Sequence, residues 1–168
     1  MLLQTQRLVI RQALQTDASF ILRLLNEPSY IQMIRDSGVR DEAAARAYIL
    51  ETYINSYHNH GFGLYVVIEK DSDQPVGIAG LVKREGLEIP DLGFAVLEEF
   101  SGKGYVLEAC GAVMSYARAG LGIKTIAAIT TEANLRSQKL LRRLGFTFIK
   151  YVKLKNLEKD FWYFELGP

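Results

Sequence analysis

The 168-residue sequence contains one cysteine, Cys110, and four prolines. A single cysteine excludes an internal disulfide and any Cys-rich zinc site, and it suits a reducing compartment. No apolar run approaches the roughly 20 residues that a bilayer-crossing helix needs. The opening Met1-Leu2-Leu3-Gln4-Thr5-Gln6-Arg7 has no basic segment followed by a long apolar one, so no secretory signal is expected. Neither sign of charge is in excess: 20 Lys+Arg against 19 Asp+Glu leave a formal net charge of +1. That balance argues against a protein that coats nucleic acid, which must neutralise many phosphates. The expectation is a soluble, cytoplasmic protein with neither nucleic acid nor membrane as a partner.

Hydrophobic residues make up 49% and charged residues 23%, the proportions of an ordinary globule. At roughly 150 residues per domain, residues 1–168 read as one domain, able to bury about 70% of its unfolded surface. β-like and helical segments alternate throughout. Leu8 to Gln12 reads as a first strand. Asp17 is then a helix N-cap candidate, ahead of Phe20, Ile21, Leu24 and Leu25 at helical spacing. Pro28 breaks or restarts that helix. Asp41 opens a longer one, with Ala44, Ala47, Tyr48 and either Tyr53 or Ile54 expected near one face.

Three strands follow, Leu64 to Glu69, Pro75 to Val82 and Leu92 to Leu97, and their short links favour an antiparallel meander. In the second half, Lys103 to Arg118 is helical with Val106, Cys110, Val113 and Ala117 on one stripe. Ile123 to Thr130 is a strand. Asn134 to Leu144 is a helix stopped by Gly145, which suits a left-handed C-cap. Phe146 to Val152 and Phe161 to Leu166 read as two last strands, paired through a loop at Lys155 to Asp160.

Two stretches carry chemistry. In Leu97-Glu98-Glu99-Phe100-Ser101-Gly102-Lys103-Gly104-Tyr105-Val106, a strand ends and two glycines one residue apart open a helix. Unpartnered N–H groups and the helix dipole make such a turn a site for phosphate oxygens. The spacing fits neither a Walker loop nor a dinucleotide fingerprint, which would need a third glycine where Leu107 stands. In Asn134-Leu135-Arg136-Ser137, Ser137 lies within about 20° of Leu144 around the helix and so points along the inward stripe. Its hydroxyl needs a partner there, either a carbonyl one turn back or a ligand. Asn134 can serve as the N-cap.

These stretches, in this order and with Glu108-Ala109 and Leu144-Gly145-Phe146 at matching intervals, resemble the GNAT superfamily of acyl-CoA-dependent N-acetyltransferases. Thr5-x-Arg7-Leu8-x-Ile10-Arg11, Gly61-Phe62-Gly63-Leu64 and Asp91-Leu92-Gly93-Phe94 resemble the branch that includes the ribosomal-protein N-terminal acetyltransferases. The resemblance implies an α/β (α+β) fold: one domain with a mixed, mostly antiparallel sheet of about seven strands, flanked by helices and splayed at the fourth and fifth strands. It implies acetyl-CoA as co-substrate and a primary amine, of a protein N-terminus or a small molecule, as acceptor. By the same resemblance, the main chain of Phe94, Ala95 and Val96 hydrogen-bonds the pantetheine arm. The N–H groups of Ser101, Gly102, Lys103, Gly104, Tyr105 and Val106 hold the diphosphate, Asn134 binds the pantetheine or the edge of the acetyl site, and Ser137 counts with the cofactor-binding residues.

Two positions depart from the family pattern. Glu99 stands where Gln or Arg is usual, so it is expected to point to solvent; Leu141 stands where many members carry a Tyr general acid. Ser137 is therefore the candidate acid for the leaving thiolate. The acidic cluster Glu85, Glu88 and Asp91, just before the cofactor strand, offers candidate bases; Asp91 comes first, Glu88 next, and Glu165 is a lesser candidate. No covalent enzyme intermediate is required, so Cys110 is expected to pack. His58 and His60 have no third clustered ligand, and no metal is expected. Arg136, Lys139, Arg142 and Arg143 form a basic outer face, one of which can meet the CoA 3′-phosphate. A non-catalytic acyl-CoA sensor is the alternative reading, and both monomer and homodimer remain open.

Overall fold

The computed structural model describes residues 3–154 and 160–168. Eight strands, β1 (Leu3–Gln4), β2 (Leu8–Arg11), β3 (Leu64–Glu69), β4 (Gln74–Val82), β5 (Asp91–Val96), β6 (Ile126–Thr130), β7 (Thr147–Lys153) and β8 (Asp160–Leu166), form one sheet. Their order is β1-β2-β3-β4-β5-β6-β8-β7. About seven strands were expected; the additional one is the two-residue β1, too short to leave an alternating pattern, which pairs antiparallel with β2. The expected meander is present as antiparallel β3, β4 and β5. The final strands pair antiparallel as expected, and most of the loop expected to join them, residues 155–159, lies outside the described residues.

One parallel contact interrupts this pattern. β5 and β6 meet only at Asp91 and Ala127, where the Ala127 N–H donates to the Pro90 carbonyl at 2.9 Å. Beyond that point the two strands diverge. The splay expected from the family resemblance is therefore located between the fifth and sixth strands, the count being raised by β1.

Helix α1 (Ala18–Leu25) buries Ala18, Ile21, Leu24 and Leu25. Asp17 precedes it but makes no side-chain cap. Its carboxylate instead accepts the Leu14 N–H at 2.8 Å and both forks of Arg11 at 2.7 Å. α2 (Pro28–Met33) restarts with Pro28 in its first turn. α3 (Glu42–Tyr48) is capped by Asp41, which accepts the Ala44 N–H at 2.8 Å. It runs through a π-helical stretch (Ile49–Ile54) into α4 (Asn55–His60). The buried face here is Ala45, Ile49, Tyr53 and Tyr57, while Ala47 is exposed. The wider π turn keeps every fourth residue on one side, so the face expected from a 3.6-residue period is shifted.

α5 (Tyr105–Leu121) packs on β2, β4 and β5 through Ala109, Cys110, Val113 and Ala117. α6 (Leu135–Arg143) packs by β6 and ends at Gly145, φ +91°. The Phe146 N–H donates to the Leu141 carbonyl and the Gly145 N–H to that of Arg142, the pattern of a Schellman C-cap. Gly80 is needed for close approach: a Cβ there would come within 2.0 Å of the carbonyl oxygen of Gly63, the residue just before β3. Among the described residues no helix is long and apolar enough to cross a membrane.

Candidate active site

The divergence of β5 from β6 opens a cleft of about 640 Å³. One wall is the outer half of β5, with Phe94, Ala95 and Val96. Leu97 donates its N–H to the Val76 carbonyl at 2.9 Å, so by strand alternation Ala95 also turns its main chain toward β4. Phe94 and Val96 therefore present theirs to the gap. Ala95 lines the cleft without offering main-chain groups to it, a correction to the expectation that all three residues do.

The second wall is the turn into α5. Ser101, Gly102, Gly104, Tyr105 and Val106 line it. Gly102 and Gly104 have φ of +79° and +82°, in the left-handed region where a Cβ is strained. The Ser101 N–H is already used, donating to the Glu98 carbonyl at 3.0 Å. For the N–H groups of residues 102–104, no protein acceptor is found among the described residues. Those of the first turn of α5 have no intrahelical acceptor by geometry. Lys103 does not line the cleft. Its ammonium lies 4.8 Å from the Phe100 ring centroid, and its carbonyl accepts Arg7 Nη1 at 2.9 Å.

That last bond belongs to a network reaching back to the N-terminal strands. Glu108 accepts the Thr5 hydroxyl at 2.6 Å, the Arg7 main-chain N–H at 2.9 Å, and Arg7 Nε and Nη2 at 2.7 Å. Partial burial opposes the Glu108 charge, but the Thr5 and Arg7 donors outweigh it and hold the carboxyl below its ordinary pKa. The Arg7 guanidinium also stacks 4.7 Å from the Tyr105 ring centroid, and the Tyr105 hydroxyl donates to Glu69.

The third wall is the start of α6. Asn134 and Ser137 line the cleft, and the Asn134 side chain caps the helix by accepting the Ser137 N–H at 3.1 Å. Ser137 is buried, and its hydroxyl makes no hydrogen bond among the described residues. The carbonyl one turn back does not take it. Leu141, one turn on, is wholly buried in the core. Arg136, Lys139 and Arg143 also line this wall; Arg136 pairs with Glu98 across the opening at 3.2 Å, and Arg142 lies over Trp162 and Phe164 instead. Glu99 is half exposed and turned toward α1, paired with Arg23 at 3.0 Å.

The acidic cluster does not assemble at the cleft. Asp91 is only 1% exposed, at the closed end of the splay, and its carboxylate is held by Arg84 at 3.1 and 3.2 Å. Burial pushes its carboxyl up, with Arg84 opposing. Glu85 and Glu88 are exposed on the loop before it, and none of these three lines the cleft. Glu165 accepts the Tyr163 hydroxyl at 2.7 Å, also away from the cleft. Cys110 is fully buried, which pushes its thiol up and suits packing. His58 and His60 lie on the exposed last turn of α4.

Sequence reasoning missed Ser29, Tyr30 and Met33 of α2, which form the fourth wall together with Ile34, the residue after it. Burial, with Tyr48 adding to it, pushes the Tyr30 phenol up, so its hydroxyl stays neutral. The restart of the helix at Pro28 was the available signal, because it forces a change of direction over the sheet.

Residues 7–147 match the family model described as acetyltransferase (GNAT) domain. Over 100 residues the chain is 29% identical to the uncharacterized N-acetyltransferase YjdG of Bacillus subtilis, covering 59% of this chain and 60% of that protein. It is 32% identical over 103 residues to the ribosomal-protein uS5 alanine N-acetyltransferase of Escherichia coli, covering 60% and 53% respectively. The chain thus spans between half and two thirds of the length of these relatives. Among solved structures, a ribosomal-protein alpha-N-acetyltransferase in complex with coenzyme A superposes with a TM-score of 0.83, at 19% identity over 99% of this chain and 97% of that one.

Proposed function

From the premise that this chain belongs to the acetyltransferase (GNAT) domain family, we propose that it transfers an acetyl group from acetyl-CoA to a primary amine by direct attack of the neutral amine on the thioester. The observation that carries this reading is one cleft that combines acceptor-free N–H groups at residues 102–104, the unpaired main chain of Phe94 and Val96, and the Ser137 hydroxyl. The residues fit an acyl-CoA. The open space over Gly102, where a Cβ would meet nothing within 4 Å, leaves room for a diphosphate against the main chain. Phe94 and Val96 offer a strand-like ladder to an amide-bearing arm. Lys139 and Arg143 supply positive charge at the rim.

Acetyl-CoA, when bound, supplies the activated acyl carbon. The chain's own residues do the remainder. A main-chain N–H of β5 would polarise the thioester carbonyl, and Ser137 would donate its proton to the departing thiolate and recover one from the ammonium that the attacking amine becomes. Asn134 holds Ser137 in place through the cap. Because Cys110 is buried away from the cleft, no acyl-enzyme enters this scheme.

The acceptor we propose is an α-amine at a protein N-terminus. Among the described residues the one carboxylate that lines the cleft, Glu98, is exposed and paired with Arg136, and Asp91 is held by Arg84. With no free carboxylate among the described residues touching the cleft, an amine that is already partly neutral is favoured. An α-amine of pKa near 8 is about one tenth neutral at pH 7, whereas a lysine-like amine is neutral in well under one part in a thousand. The uS5-alanine acetyltransferase relative supports the same class. A cytoplasmic location accords with such an acceptor.

The test is a panel of N-terminal peptides and small amines with acetyl-CoA, read by CoA thiol release. Turnover with peptides above that with polyamines or lysine is expected. Tight CoA binding with no turnover on any amine would favour the sensor, and absence of CoA binding would end the acyl-CoA reading altogether.

A further inference from the structure

We infer that Arg7 is a positioning residue for the diphosphate turn, and that it works by turning the Lys103–Gly104 peptide so that the Gly104 N–H faces the cleft. This rests on the acyl-CoA reading of the cleft given above.

The geometry is that of a planar trans peptide, in which the carbonyl of one residue and the N–H of the next point in opposite directions. Arg7 Nη1 takes the Lys103 carbonyl at 2.9 Å, from the side of the N-terminal strands. The N–H of Gly104 must then point the other way. Gly104 lines the cleft and Lys103 does not. Arg7 backs directly onto this turn: a Cβ on Gly104 would lie 3.4 Å from Arg7 Nη2. Glycine at φ +82° has little intrinsic preference between orientations of its flanking peptides, so an external anchor decides which N–H groups converge.

Glu108 gives Arg7 a second task. The carboxylate stands on the first turn of α5, beside the end where an anionic ligand is to be held. Unneutralised, it would oppose that ligand across about one helical turn. Arg7 covers it with Nε and Nη2 at 2.7 Å, and Thr5 adds a hydroxyl at 2.6 Å. One guanidinium thus fixes the carbonyl of the turn and screens the acid behind it. The fork geometry suits arginine and not lysine, whose point charge cannot make the lateral pair and the carbonyl bond together. This also gives the Thr5-x-Arg7 segment a role that depends on α5, 101 residues away along the chain.

The consequence is specific to donors that carry a diphosphate. Arg7→Ala is expected to raise the KM for acetyl-CoA about tenfold or more with kcat changed less than about threefold, as for loss of a charged hydrogen bond that acts on binding. With S-acetyl-pantetheine, which lacks the diphosphate and nucleotide, the same variant should keep kcat/KM within about twofold of the parent. Should Arg7→Ala not fold, Arg7→Lys serves the same comparison, keeping the charge beside Glu108 while losing the fork. Unchanged KM for acetyl-CoA, or an equal loss with both donors, would overturn the inference while leaving the acyl-CoA reading intact. A parent protein that neither binds CoA nor uses either donor would overturn both.

Discussion

Ser137 is the residue whose chemistry can be tested most directly. Its hydroxyl is buried against the cleft with no protein acceptor among the described residues, so removing it leaves no orphaned partner. Ser137→Ala is therefore expected to leave stability within about 1 kcal/mol of the parent. If the hydroxyl protonates the thiolate, kcat at saturating acetyl-CoA should fall about a hundredfold, with a smaller change in KM. An unchanged kcat would remove Ser137 from the chemistry. Arg84 presents the opposite situation. Its loss strands the Asp91 carboxylate, which burial already pushes toward the neutral form. In Arg84→Ala, folded Asp91 binds its proton more tightly than the unfolded chain does, so stability should fall as pH rises through the unfolded carboxylate value of about 4. At neutral pH the loss should reach about 3 kcal/mol, and Asp91→Asn in the same background should abolish its pH dependence. Thermal melts from pH 4 to 7 would check both statements.

At the scale of elements, the turn into α5 is held by backbone conformation. Gly102→Ala introduces a Cβ that touches nothing, yet at φ +79° it strains the chain by about 1–2 kcal/mol. The expected outcome is a modest drop in melting temperature and a raised KM for acetyl-CoA, both measurable on one purified variant. This turn was legible in the sequence because glycine spacing and a following helix are local signals. So were Asn134 as cap and Gly145 as stop, each a property of a few adjacent residues. The π-helical stretch was not legible: Ala45, Ile49, Tyr53 and Tyr57 recur every four residues, a spacing that a regular helix carries slowly off its face. Asp91 misled for a different reason. Its place before the cofactor strand is plain in the sequence, but its burial and its partner Arg84 depend on where β6 meets β5. The anchoring of the turn by Arg7 was hidden likewise, since Glu108 and Arg7 meet only through the fold.

For the whole molecule, the cleft joins elements from most of the chain: α2, β5, the turn into α5, and α6. A ligand that bridges them binds the folded state alone and stabilises it by mass action. Coenzyme A at about 100 times its dissociation constant should add about 2.7 kcal/mol. For a domain of this size that raises the melting temperature by about 5–10 °C. Acidification should weaken the tie between the N-terminal strands and α5. The Glu108 carboxyl is held below its ordinary pKa, so its contribution is complete above the unfolded value of about 4.3 and lost as pH falls through the folded one. The stability gap between the parent and Glu108→Gln should accordingly be present at pH 7 and close in acid, as comparative melts would reveal.

The strand order carries a consequence for biosynthesis. β8 lies between β6 and β7, although both are made before it. As the polypeptide emerges from the ribosome, β7 has no neighbour to bond with until residues 160–166 appear. Until then the edge of β6 and the aromatic side chains of β7 stand uncovered. A chain cut off after residue 153 and released from the ribosome should thus be a chaperone client, and the arrival of β8 should be the event that zips this half of the sheet shut.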